Sequence, residues 1–539
     1  IGTIYYYTPP PPVSDAYLTF SSTNAFKITP LFQAWEGTLE CSTDATTWTN
    51  FTTAGAAAAS NGAGEYKLYL RGTNNTCITG GKFGWKLDAT GAVACSGNIE
   101  TLLDYVLVDN GGHPAMADNC FADMFKNWKT LIRAPELPAT NLAKYGYQSM
   151  FEGCTALTNA PALPATTLAN NCYDAMFQGC TALAQTPALP ATNLATYCYQ
   201  SMFKDCTALT NATPLTAGTL TNYCYHSMFA GCTSLTQAPE LPATNLAKYC
   251  YYKMFSGCTG LANAPALPAT TLVNDCYNAM FTACTSLTNT PALTTGTLAD
   301  RCYKDMFSGC TGLTQASALA AMTLAPQCYE GMFSGCTSLT RLPVLPATNL
   351  FSFCYDSMFK NCTGITLHAV GTAPTWSIPA DVVEATSWNA DMLAGTGGTF
   401  TGDPVPGVTY YYAPPPLPAA GAYITFSSTN TFSVTPQSNS WNGILLASTD
   451  ATNWVTFTTN GATAATNATG EYRLYLSGWG NNRISDYSTT PAWEIDAADQ
   501  VACSGNIESL LDHPKVAAGE EPDMANYCFA NLFKDCTAL

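Results

Sequence analysis

Residues Leu157 to Ala182 read LTNAPALPATTLANNCYDAMFQGCTA, and a close copy begins again at Leu183, Leu209, Leu235 and Leu261. The generic repeat is L-T-x-A-P-x-L-P-A-T-x-L-A-x-x-C-Y-x-x-M-F-x-G-C-T-x, 26 residues long. Its second cysteine marks the period. Cys154, Cys180, Cys206, Cys232, Cys258, Cys284, Cys310, Cys336 and Cys362 stand 26 apart, and Trp128 holds the slot before them, so ten repeats keep register without an insertion. A fixed period of roughly 20–50 residues marks a solenoid, in which each repeat buries its apolar face only by stacking on its neighbours.

Inside a repeat the pattern divides in two. Leu168, Cys172, Met176 and Cys180 recur at i, i+4, i+8 and i+12, with Tyr173 and Phe177 one residue beside them. That spacing predicts a short helix of roughly two to three turns, too short to stand alone in water. Before it, Leu157 to Ala160 alternates like a brief strand and is stopped by proline, which fills the fifth place of the repeat in seven of nine copies (Pro135, Pro161, Pro187, Pro239, Pro265, Pro291, Pro343). Proline cannot donate to a ladder, so the strand is expected to run only about three to four residues. The predicted core of a repeat is Leu157, Leu163, Leu168, Met176 and Phe177.

The Leu-Pro-Ala-Thr, Cys-Tyr-x-x-Met-Phe and Gly-Cys-Thr-x-Leu-Thr runs resemble the BspA-like leucine-rich repeats over residues 115–363. Such repeats occur in surface proteins of gut and oral bacteria and in related mycoplasma, protist and bacteriophage structural proteins. The resemblance implies a right-handed solenoid on a cell or virion surface, usually linked to adhesion, and it implies no chemistry.

The 539 residues are 47 % hydrophobic, ample for a core, but only 11 % charged, against about a quarter in an ordinary soluble domain. The exterior must therefore be Thr, Asn, Ser, Ala and Gln. A formal net charge of −17 argues against nucleic acid and against insertion at anionic membranes. No run of 18 apolar residues is present, so no transmembrane helix is expected.

Ahead of the array, Tyr5 to Tyr7 and Pro9 to Pro12 suggest a stiff extended spacer of polyproline type. Tyr17 to Phe20, Gly37 to Glu40, Trp48 to Phe51 and Tyr66 to Leu70 then alternate between Gly, Asn, Asp and Ser turns, which predicts a small antiparallel β-sandwich. Much later, Tyr410 to Tyr412 with Pro414 to Pro416 and Ala422 to Asn430 restate Tyr5 to Asn24 at an offset of 405 to 406. Ala502 to Ile507 then restates Ala94 to Ile99 at an offset of 408, and Cys528 answers to Cys120. A whole module is repeated in tandem, and because Leu539 falls just after the cysteine of a repeat, a longer chain of such modules is expected.

The expected fold is a mixed α/β repeat, a right-handed leucine-rich-repeat-like solenoid alternating with antiparallel β-sandwiches. Its parts are a Tyr/Pro spacer over 1–15, a sandwich over 16–95, a cap and first repeat over 96–127 and BspA-like repeats over 128–363. A carboxy-terminal cap over 364–407 follows, then a spacer over 408–421, a sandwich over 422–503 and the start of a second array over 504–539.

Twenty-four cysteines allow a disulfide framework. Cys41 and Cys77 are both missing from the second module, as true partners would be. In the array two pairings compete with free buried thiols: within a repeat (Cys172 with Cys180), or between repeats (Cys154 with Cys172, Cys180 with Cys198, Cys95 with Cys120, Cys503 with Cys528). The first spans about 12 Å of helix, beyond the ~7 Å limit on Cα separation.

No catalytic constellation is legible. His113, His226, His368 and His513 keep no fixed place in the repeat, the gaps of 8 and 18 between cysteines suit no metal, and Asp44 and Asp450 read as turn residues rather than calcium ligands. No cofactor is implied. The Met column (Met124 to Met358) and Phe column (Phe125 to Phe359) read as core; the Tyr column (Tyr147 to Tyr355) reads as core edge with hydroxyls bonded to turns, or as a sugar-stacking face. Gln178, Lys204, Ala230 and Ser256, which vary between copies, are expected to face water.

The chain is thus expected to be an extracellular structural protein of a cell or virion surface that forms or decorates a filament with further copies of its module as partners. The alternative is an adhesin or fibre that recognises glycans or host proteins. An enzyme is not expected.

Overall fold

The computed structural model describes residues 16–81, 84–294, 296–369, 371–414, 416–437, 441, 443–485, 492–525 and 528–539. The first Tyr/Pro spacer lies outside the described residues. The chain forms two compact bodies, one running to Thr366 and including Ser377–Val408, the other made of Leu367–Trp376 and Thr409–Leu539.

In the first body, period-2 alternation makes strands. β1 (Leu18–Ser22), β2 (Phe26–Pro30), β3 (Thr38–Ser42), β4 (Thr49–Asn50), β5 (Ala56–Ala57), β6 (Ala59–Ser60), β7 (Tyr66–Thr73), β8 (Trp85–Ala89) and β9 (Val93–Ser96) lead to a nine-residue helix, α1 (Thr101–Asp109), and to β10 (Leu131–Arg133). The larger sheet has the order β10-β9-β1-β7-β3-β4, with β6 also on β7; the smaller is β5-β2-β8. Leu18, Phe20, Leu68 and Leu70 of the large sheet and Phe26, Ile28 and Trp85 of the small one are buried. All pairs are antiparallel except β9 with β10, where Leu131 faces Val93.

β10 belongs to the first repeat, so the array continues the large sheet. Three further hydrogen bonds fix the joint, from Ile78 N to Cys120 O (2.9 Å), Trp85 N to Met124 O (3.1 Å) and Val93 N to Thr130 O (2.9 Å). Gly84 is required here, because a Cβ would lie 1.9 Å from Asp123 O. Trp128 stands in the cysteine slot of a repeat that packs on the sandwich rather than on another repeat. The indole lies against Phe20 and Phe125 and donates to Trp85 O at 2.6 Å.

The repeats contain no α-helix and no named strand among their described residues from 134 to 365, which corrects the mixed α/β reading. Each repeat is a coil of consecutive turns. In the coil of Cys172, the residues Asn171, Ala175 and Gly179 have φ of +58°, +54° and +73°, and a left-handed residue recurs at the same three places in every coil. Between them, amides alternate in direction. Cys172, Asp174, Met176, Gln178 and Cys180 donate locally, each to the carbonyl three residues back. Asn171, Tyr173, Ala175, Phe177 and Gly179 donate to Thr196, Cys198, Gln200, Met202 and Lys204 of the next coil at 2.8–3.1 Å. The side chains consequently point two inward and two outward, a strict period of 4.0 instead of the 3.6 of a helix. Leu157 to Ala160 likewise forms no strand. Its column contributes only isolated parallel bridges, such as Gln185 with Asn211 and Asn263 with Asn289.

Met and Phe columns fill the interior, and consecutive phenyl rings stack at 5.4–5.7 Å from Phe125 to Phe359. Leu157, Leu163, Met176 and Phe177 are buried, but Leu168 is only half-buried. Beyond Cys362 the stack gains one more coil after an insertion, since Tyr355 N donates to Trp388 O and Phe359 N to Met392 O, and Ser387, Asp391 and Gly395 repeat the left-handed places.

The second body repeats the sandwich, with a large sheet containing Ile424–Ser428 and Tyr472–Trp479 and a small one of Ala462–Thr463, Phe432–Pro436 and Trp493–Ala497 around one core. Its beginning departs from the expected spacer. Thr409–Ala413 is a strand paired with Thr372–Ser377, and Tyr411 exchanges two backbone hydrogen bonds with His368 at 2.9 and 3.0 Å. Tyr410 is buried beside Trp376.

Truncating Met254 to alanine should cost roughly 2–5 kcal/mol of stability through the cavity it leaves. Gly257→Val, at φ +76° with room for its side chain, should cost roughly 1–2 kcal/mol through backbone strain alone. Urea denaturation followed by tyrosine fluorescence measures both, and a helix at 249–257 would tolerate the valine with far less loss.

Candidate recognition face

All twenty-four cysteines are free thiols, so none of the candidate pairs is joined in the structure, neither Cys41 with Cys77, Cys95 with Cys120 and Cys503 with Cys528, nor any combination of Cys154, Cys172, Cys180 and Cys198. Their sulfurs have other partners. Cys41 Sγ lies 3.5 Å from Thr49 Oγ1, and Cys77 Sγ reaches Asn119 O at 3.8 Å. In the second cysteine column the thiol donates to the phenylalanine carbonyl 29 residues earlier, as Cys180 to Phe151 O and Cys206 to Phe177 O, both at 3.1 Å. Burial removes the thiolate from water and pushes Cys172 and Cys180 up to about 12.

The Tyr147–Tyr355 column is interior, with rings stacked at 5.7–6.0 Å. It offers no sugar-stacking face. The hydroxyls of Tyr147, Tyr199, Tyr277 and Tyr329 find no partner among the described residues, so the expected bonds to turns are missing at these four places, while Tyr303 bonds the backbone at Thr294.

What varies from coil to coil lies on the outward pairs. At the first left-handed place stand Tyr145, Asn171, Tyr197, Tyr223, Tyr249, Asp275, Arg301, Gln327 and Phe353. Three residues on are Gln148, Asp174, Gln200, His226, Tyr252, Asn278, Lys304, Glu330 and Asp356. Further along, Gln178, Lys204 and Ser256 are half-buried and Ala230 is buried, rather than open to water.

These columns concentrate aromatic rings on three adjacent coils. Tyr197, Tyr223 and Tyr249 stack at 4.6 and 4.7 Å, His226 stacks on Tyr252 at 5.0 Å, and Lys253 Nζ lies 5.2 Å from the Tyr252 ring. His226 is held near 4 by burial, with Lys253 and Lys204 adding repulsion, so it is neutral at physiological pH. To one side the buried Asp275 is held by Arg301 through two bonds of 2.9 Å. Gln148 and Asn171 donate to the buried Asp174 at 3.0 and 3.4 Å on the other side, and desolvation raises that carboxyl. Tyr197, Tyr223 and Tyr249 escape the sequence reading because it follows the Tyr of Cys-Tyr. The legible signal is the doubled Tyr-Cys-Tyr in TYCYQ, NYCYH and KYCYY, which alternates outward and inward rings.

Other titratable groups lie apart. Glu100 is buried beside the first repeat and bonds His113 Nδ1 at 2.7 Å, its carboxyl raised by desolvation. His368 and His513 are in the second body, both lowered by burial. Asp44 accepts from Thr46 N (2.8 Å), Thr47 N (2.7 Å) and Ser42 Oγ (2.9 Å), and Asp450 does the same in its copy. These bonds are turn chemistry, and they hold both carboxyls well below the usual range.

Residues 123–262 and 226–366 match the BspA type leucine rich repeat region, with six copies. The repeat array belongs to that family, which fits its cysteine, methionine and phenylalanine columns. No curated protein and no solved structure matches the chain.

An unfolded thiol ionises near pH 9, whereas Cys172 and Cys180 hold their protons to about 12. The unfolded chain therefore binds fewer protons between those values, so stability should be level below pH 9 and fall as pH climbs above it. Denaturant midpoints from pH 7 to 10.5 check the sign. Arg301→Ala should cost about 2 kcal/mol, because it strands a buried carboxylate while the lost arginine was itself one-third exposed; an unchanged midpoint would contradict the pairing.

Proposed function

We propose that the chain is a modular surface protein whose stacked coils form a right-handed solenoid, serving as a stiff element of an extracellular or virion-surface filament. The observation that carries this reading is the way the second module begins. Its tyrosine segment is an ordered strand on Thr372–Ser377 rather than a loose tether. Backbone pairing of that kind resists extension, and Tyr5 to Tyr7 repeats its three tyrosines in the first module. The ten repeats and the added coil, at a rise of about 5 Å, give a rod of roughly 50–55 Å. BspA-type repeats are associated with surface, adhesion-like proteins, and no helix among the described residues is long and apolar enough to cross a membrane.

An adhesive reading has its own support. The aromatic cluster is confined to neighbouring coils and to one outward pair of columns, whereas a pure spacer has no reason to vary them in this way.

The strand joint is testable. Tyr411→Pro removes the amide that donates to His368 O. Limited proteolysis of this variant should cleave within 400–415 at least tenfold faster than in the parent, and single-molecule extension should lose its first high-force event. Equal cleavage and equal force would sink the mechanical reading.

A further inference from the structure

The outward tyrosine ladder has a missing rung. Tyr197, Tyr223 and Tyr249 stack at the spacing of successive coils, 4.6 and 4.7 Å. Tyr145 belongs to the same column, two coils before Tyr197, and the coil between them carries Asn171. Two coil steps are roughly 9–10 Å, so a flat ring placed midway would meet each tyrosine at the distance the existing rings keep from one another. Tyr145 is 36 % exposed and Tyr197 is half-buried, so the gap opens to solvent.

Below the gap is a polar floor. Asp174 is only 8 % exposed, and its Oδ2 accepts from Gln148 and Asn171. Those two amides keep a second N–H each and their carbonyl oxygens for another partner. A phenyl ring from a protein would cover these groups without bonding them, which is costly for polar atoms. A ring bearing hydroxyls would satisfy them, and its C–H faces would pack on the tyrosines. The carboxylate disfavours an anionic ring, and the whole chain, at −17, does the same.

We propose that the space bounded by Tyr145, Tyr197, Gln148, Asn171 and Asp174 is a binding site for one neutral pyranose ring of a surface glycan. The proposal rests on the adhesive reading for its purpose, but not for its geometry. The other tyrosines of the ladder are occupied by each other, and this explains why a single site, rather than a continuous sugar track, is present. Only Asn171 among the three coils that precede Tyr223 lacks a ring at this place.

The test uses the full chain and methyl glycosides of glucose, galactose, mannose and N-acetylglucosamine, followed by saturation-transfer NMR. At least one should bind with a Kd of about 1 mM, the range of a single small contact set. Asn171→Tyr completes the ladder and should abolish binding while leaving the thermal midpoint equal or higher. Tyr197→Ala should weaken binding at least tenfold, and Thr311→Ala, on another outward column, should not alter it. Binding by Asn171→Tyr equal to the parent's, or no binding of any glycoside by the parent, would overturn the site.

Adhesion to a surface coated with the best glycoside separates the two ideas. If the parent adheres and Asn171→Tyr adheres equally, the site is wrong and the adhesive reading stands on another surface. If the parent binds free sugar and still does not adhere, the site stands and the adhesive reading fails.

Discussion

The structure depends on the way each coil divides its backbone amides. Every second N–H is used within the coil and every other one reaches the next coil, so both the turn and the stack are built from one continuous set of hydrogen bonds. No residue set can do this with right-handed conformations alone. A left-handed residue at every fourth position turns the chain so that the odd amides emerge along the stack. Asn, Asp and Gly suit that conformation, but Tyr, Arg and Phe occupy it in several coils at a cost of about 1–2 kcal/mol each. The inter-coil bonds on both sides offset that strain, and isolated coils would not hold it.

From that ladder the rest of the interior follows. The coil spacing fixes like residues over like residues, so Phe packs on Phe and Met on Met for ten coils, and any insertion between the ladder positions would shift them all. The cysteines fit for size and for one hydrogen bond. Each phenylalanine carbonyl already accepts the amide three residues on, and the thiol from the next coil takes its remaining lone pair. Serine would bond more strongly but would lose the apolar contact. Trp128 and Cys536 occupy the same slot at the two sandwich joints, and both reach the corresponding tryptophan carbonyl, Trp85 O at 2.6 Å and Trp493 O at 3.3 Å. One joint is filled by an indole and the other by a small thiol, so the slot tolerates a large change of volume where it faces a sandwich.

Much of the architecture was legible because it repeats. The register of the array, the Met and Phe core, the strands of both sandwiches and the tandem duplication all follow from spacing that a single chain displays many times over. The i, i+4, i+8 spacing predicts a helix, but over this length it does not fit one. A helix advances about 40° beyond a full turn every four residues, so four such steps would rotate the stripe off the core; a pattern that never drifts demands a turn of four. Gly179 and its equivalents, at φ near +74°, were the residues that could have shown it. The strand expected at Leu157 does not form, because alternation over four residues also describes a bend with one inward leucine. The composition of the second spacer predicts an extended polyproline segment, but Tyr410 has an apolar neighbour in Trp376 that sequence order does not bring near.

The candidate site was less legible, for a physical reason. Inward positions are bound by stacking and stay the same, so their columns announce themselves; outward positions are released from that constraint and look like noise between copies. Where such noise gathers aromatic rings on adjacent coils, it is not what release alone produces. A half-buried, outward tyrosine in a left-handed conformation is unfavourable twice, through the backbone and through the apolar surface it leaves uncovered, and mutual stacking relieves only the second. Three in succession, beside a buried carboxylate held by two amides, run against the preference of the fold, and that opposition is the physical ground for the proposal that recognition uses the outward face rather than the core that defines the repeat.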